Sequence, residues 1–81
     1  MLRGGVLVTI RDCLDLVGWT GMDLVREAKI SPTTLRRLEK GEPVRRHIVA
    51  RVVLALNEAL AQRGKESITI KDLEGIKISG R

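Results

Sequence analysis

Residues 20–41, TGMDLVREAKISPTTLRRLEKG, decide the fold. Thr20 stands three residues before Asp23, the spacing at which a threonine hydroxyl and a carboxylate cap one another's backbone N–H groups at the start of a helix. Leu24, Val25 and Ala28 then supply its apolar contacts. Ser31 is a good N-cap for a second helix, and Pro32 fits its first position, where a missing N–H removes one orphan donor. Gly41 stands where a C-cap glycine ends that helix. Two short helices separated by so few residues must cross steeply. At 100° per residue, turning Leu35 and Leu38 inward sends Thr33, Arg36, Arg37 and Lys40 toward solvent.

Working outward, Ile10, Cys13, Leu14 and Val17 have the i, i+3, i+4, i+7 spacing of one helical face, with Thr9 and Asp12 as its capping pair and Gly18 as its stop. The most periodic segment runs from Val44 to about Gln62, with Ile48, Val49, Val52, Val53, Ala55, Leu56, Ala59 and Leu60 on a broad face. Leu54 falls among Arg51, Asn57 and Glu58 on the polar side, either a lone exposed leucine or a dimer contact. Beyond Gly64, Thr69 and Asp72 have capping-box spacing and suggest one helical turn, after which Ile76-Lys77-Ile78 alternates as a strand does. Its expected partner is Val6-Leu7-Val8. The expected class is mainly α, a bundle of four to five helices with a small two-stranded antiparallel sheet from the termini. Residues 1–81 form one domain, with a core over 6–62 and an extension over 64–81.

Eighty-one residues bury a core near the lower limit of self-sufficiency, so a second subunit is expected to contribute to stability. No apolar run approaches a bilayer span and no secretory leader is evident, which predicts a soluble, cytoplasmic protein without a membrane partner. One cysteine and one histidine provide neither a disulfide nor zinc-ligand spacing, and Cys13 is simplest as a small core residue. Neither a nucleophile with its base nor a paired set of carboxylates is suggested, so the chain is not expected to be an enzyme, and it implies no cofactor, metal or small-molecule ligand.

Charge is more informative. Residues 26–51 hold eight basic side chains against Glu27, Glu39 and Glu42, which accounts for the whole net charge of +5, while the rest of the chain carries seven of each sign. A run of cations is usually a solvated face. Here it lacks acidic companions apart from Glu39, which points nearer the Leu35 side. The fourth helix, moreover, opens with Arg45, Arg46 and His47 against the positive end of its own dipole, an arrangement that a docked phosphate turns favourable. The alternative is that these arginines pair with Glu42 or extend into water.

TGMDLVREAKISPTTLRRLEKGE followed by IVARVVLALNEAL resembles the helix-turn-helix of the lambda-repressor-like family, which includes the Cro and Xre-type transcriptional regulators. The similarity covers roughly residues 9–60, with the helix-turn-helix at 21–41. It implies that residues 22–29 form a positioning helix and 32–40 a recognition helix that enters the major groove of DNA. It places contacts on Gly21, Pro32, Thr33, Thr34, Arg37 and Lys40, and the helical wheel adds Arg36. Thr33, Thr34, Arg36, Arg37 and Lys40 are expected to reach bases. Gly21, Ser31, Pro32, Arg45, Arg46 and His47 are expected to meet the backbone. The chain departs from the family at three places: Gly21 where a phosphate-binding glutamine is common, Pro32 where an adenine-reading glutamine is frequent, and Lys29 where a glycine with positive φ often makes the turn.

The expected function is thus a sequence-specific double-stranded DNA-binding regulator of transcription, acting as a homodimer. A non-enzymatic protein-interaction adaptor or an antitoxin-like module on the same scaffold is the alternative. Binding of RNA or single strands fits poorly, because Trp19 is the only aromatic side chain on which a base could stack.

Overall fold

A computed structural model describes residues 8–79. Its elements in chain order are α1 (Ile10–Val17), α2 (Gly21–Ala28), α3 (Pro32–Lys40), β1 (Pro43–Arg45), α4 (Arg46–Gln62), a single 3₁₀ turn (Ile70–Asp72) and β2 (Lys77–Ser79). The fold is mainly helical with one small sheet.

The starts of the first three helices follow from their capping residues. Thr9 Oγ1 accepts from the Asp12 N–H at 3.0 Å while the Asp12 carboxylate accepts from the Thr9 N–H at 3.1 Å. Thr20 and Asp23 repeat this reciprocal pair at 3.2 and 2.9 Å. Ser31 Oγ accepts from the Thr34 N–H at 3.0 Å. Each box satisfies donors that a helix start leaves without intrahelical partners. At its other end, α3 is closed by Gly41 at φ +78°, and a Cβ there would come within 3.3 Å of the Gly75 carbonyl oxygen.

Lys29 closes α2 in the left-handed region, at φ 58° and ψ 48°. The turn thus has the backbone that favours glycine, built on a lysine. The helix expected over residues 22–29 runs over Gly21–Ala28, and Lys29 lies past its end as the cap rather than inside it.

Leu14, Leu24, Leu56 and Leu60 are fully buried at the centre, joined by Val17, Val49, Val52 and Cys13. Burial pushes the Cys13 thiol up to about 11, with Asp12 adding to the shift, which keeps it protonated and inert at neutral pH. No polar or charged side chain is buried among the described residues. Helix α4 is continuous and packs on both α1 and α2.

Three expectations are corrected. Val44 and Arg45 belong to a strand and not to the fourth helix, which starts at Arg46. Pro43 is the reason, since it restricts Glu42 to extended backbone and itself suits the first position of a strand. Next, the neighbour of β2 among the described residues is β1 and not Val8: Pro43 lies opposite Lys77, Val44 opposite Ile78 and Arg45 opposite Ser79. Finally, the sheet is parallel, because α4 carries the chain back to the same end before β2 begins. Val6 and Leu7 lie outside the described residues. Val8 forms an isolated parallel bridge with Leu73, donating its N–H to the Asp72 carbonyl at 3.0 Å and accepting from the Glu74 N–H at 2.7 Å.

Candidate nucleic-acid interface

Helix α3 presents a polar arc opposite its buried Leu35 and Leu38. Thr33, Arg36, Arg37 and Lys40 are all exposed there, and Pro32 is exposed at the first turn. Among the described residues none of these three cations makes an ion pair or a side-chain hydrogen bond. Glu39, the one acidic residue of the helix, is turned away and receives Arg11 Nη2 at 3.4 Å. That contact draws the carboxylate toward α1 and leaves the arc without a negative charge.

Thr34 is half-buried beside the arc, and its Oγ1 accepts from the Ser31 hydroxyl at 2.9 Å. The Ser31 hydroxyl is thereby engaged twice within the cap, as acceptor from the Thr34 N–H and as donor to Oγ1. The Thr34 hydroxyl hydrogen remains to be offered outward.

The short sheet brings a second group of cations alongside. Thr33, Thr34, Arg37 and Arg45 line one concavity of about 730 Å³, whose wall is completed by β1 and by Ser79 of β2. Arg45 is the N-cap residue of α4, with extended backbone at φ −64° and ψ 146° and no side-chain cap. Arg46 and His47 are exposed in the first turn of α4, which contains no acidic residue. Free N–H groups and three basic side chains therefore coincide at one helix start, a favourable setting for an anion. Glu42 also lines the concavity, yet among the described residues it makes no ion pair with Arg37, Arg45 or Arg46.

Gly21 has a packing role. A Cβ at this position would lie 2.9 Å from Leu35 Cδ2, so the missing side chain lets the first turn of α2 approach α3. Only its backbone is left to meet a ligand. Val44, Ile48 and Ser79, which help line the concavity, escape a reading of the helices alone. The dipeptide Glu42-Pro43 is the signal that points to an extended segment there.

The capping pair of α2 is electrostatically tuned as well. The hydrogen bond from the Thr20 backbone N–H holds the Asp23 carboxyl below its ordinary value; desolvation opposes it, and the Thr20 hydroxyl and Arg26 add smaller lowering effects. Arg26 Nη2 lies 2.6 Å from Asp23 Oδ1. Among the described residues no group of three or more His, Cys, Asp or Glu side chains could hold a metal ion, and no helix is long and apolar enough to cross a membrane. Comparison with protein-family models, curated proteins and solved structures gives no match to this chain.

Proposed function

We propose that the chain is a sequence-specific double-stranded DNA-binding regulator of transcription, a helix-turn-helix protein of the lambda-repressor-like, Cro/Xre-type kind that inserts α3 into the major groove. The observation that carries this is the exposed arc of Thr33, Arg36, Arg37 and Lys40, free of acidic residues and without internal partners among the described residues. A major groove about 12 Å wide admits one α-helix. Arginine reaches guanine O6 and N7 with two hydrogen bonds, and a threonine methyl can contact thymine. The α4 start, with Arg45, Arg46 and His47, then receives a phosphate and fixes the orientation of the helix without reading sequence. As a homodimer the protein reads two half-sites about one helical turn, roughly 34 Å, apart.

Titrating mixed-sequence duplex DNA by fluorescence anisotropy tests the proposal. Six phosphate contacts imply roughly a thousandfold loss of affinity between about 50 and about 200 mM salt. In-vitro selection should then return a guanine-containing operator. Absence of binding at the lower salt would sink the proposal and favour a protein-interaction adaptor using the same face against an acidic partner.

A further inference from the structure

On a different side of the molecule, α2 and α4 enclose a recess of about 440 Å³ with Ala28 and Ala55 in its lining. Glu27, Lys29, Arg51 and Glu58 surround it, two acids and two bases, so it carries none of the charge excess of α3. Leu54 stands at its edge with 61% of its surface exposed, the most exposed large hydrophobic residue among those described. The recess adjoins a smaller one of about 260 Å³ that shares Glu27, Ala55 and Glu58 and reaches the half-buried Trp19.

We propose that this face docks a second copy of the chain, with α4 packed antiparallel against α4 of that copy. Arg51, Leu54, Ala55, Glu58 and Gln62 fall within a stripe about 100° wide when α4 is wound at 3.6 residues per turn. A two-fold axis between Leu54 and Ala55 pairs large with small: Leu54 of each copy enters the recess at Ala55 of the other. The same axis sets Arg51 against Glu58 of the second copy, twice by symmetry. Within one chain these two residues are about 10.5 Å apart along the helix and cannot satisfy each other. Arg51 makes one long hydrogen bond, from Nη1 to the Lys29 carbonyl at 3.3 Å, and Glu58 has no ion pair among the described residues. A balanced, self-complementary charge pattern suits a copy of the same surface and offers little to a polyanion. Contact along one helix of 17 residues buries less than a standard interface, so the dimer is weak and concentration-dependent.

The inference rests on the dimeric part of the function proposed above and not on DNA binding. Sedimentation of the full chain from about 1 µM to about 1 mM spans the range in which a weak dimer dissociates. Trp19 fluorescence over the same series gives a second readout. Wild type should pass from monomer to dimer. Leu54→Glu, at an exposed site and checked for its helical circular dichroism, should weaken association at least tenfold. Arg51→Glu and Glu58→Arg should each weaken it, and the double variant should restore it, which a purely intrachain effect would not do. A wild-type chain that stays monomeric throughout overturns the interface and the dimeric expectation together. A dimer indifferent to all these substitutions overturns the interface and leaves dimerisation standing. Binding to a single DNA half-site, measured on the monomeric variant, judges the DNA proposal separately.

Discussion

Asn57 clasps the backbone of Ile68, donating from Nδ2 to its carbonyl oxygen at 2.9 Å and accepting its N–H on Oδ1 at 2.8 Å. One side chain of α4 thus pins the segment that leads to β2. Asn57→Ala strips both partners from the backbone N–H and C=O of the buried Ile68 and should cost about 1–3 kcal/mol in denaturant unfolding. A change below about 0.5 kcal/mol, the ordinary range for surface substitutions, would mean that water replaces the clasp without loss.

Lys29 has positive φ, so Lys29→Gly should stabilise the fold by about 0.5–1 kcal/mol through relief of the left-handed strain, after the entropy lost by glycine is subtracted. Thermal and urea midpoints should both rise. Lower midpoints would show that the lysine stem contributes more by packing than its backbone costs.

Deleting residues 75–81 removes β2, uncovers the edge of β1 and withdraws Ile78 from the apolar core against which it packs. The melting temperature should fall. Because Arg45 and Ser79 are paired across the sheet beside α3, DNA affinity should fall as well, even where the truncated chain remains folded. An unchanged melting temperature would show that β1 does not depend on its partner.

Arg37 and Arg46 should divide the labour of recognition. Arg37→Ala should relax discrimination at one base pair by about 1–3 kcal/mol, the worth of a bidentate guanine contact. Arg46→Ala should weaken all duplexes alike and lower the salt slope by about 1. The measurement is affinity for an operator and its single-base variants across a salt series. Uniform losses in both variants would reduce the α3 cations to a general electrostatic surface.

Lowering the pH tests the Thr20–Asp23 cap. Because the folded Asp23 carboxyl is held below its unfolded value, its stabilising contribution is present above the usual carboxylate range and is lost as pH falls through the folded value. Asp23→Asn should therefore lower the melting temperature at neutral pH and make the decline in acid shallower than that of wild type. Parallel acid profiles for the two proteins would remove Asp23 from the account.

Local signals were legible wherever residues three or four apart govern the structure. Thr9 with Asp12, Thr20 with Asp23, and Ser31 with Pro32 locate three helix starts, and the spacing of Leu35 and Leu38 settles which side of α3 faces out. Partners distant in the chain were not legible. Ile76-Lys77-Ile78 alternates as a strand must, but alternation names no neighbour, and Val44 is four residues from Ile48 and so blends into the helical period of α4. Asn57 reads as one more polar residue on a solvated face, because its value lies in a backbone peptide eleven positions away.

The two strands join residues thirty-four positions apart, Pro43 with Lys77, and the whole of α4 lies between them. Bringing such distant segments together costs loop entropy that only a preformed scaffold can offset. The helices are therefore expected to assemble first and the sheet to close last. Substitutions in β2 should then speed unfolding while leaving the refolding rate nearly unchanged, so that the lifetime of the native state, more than the speed of reaching it, is set by three residues near the end of the described chain.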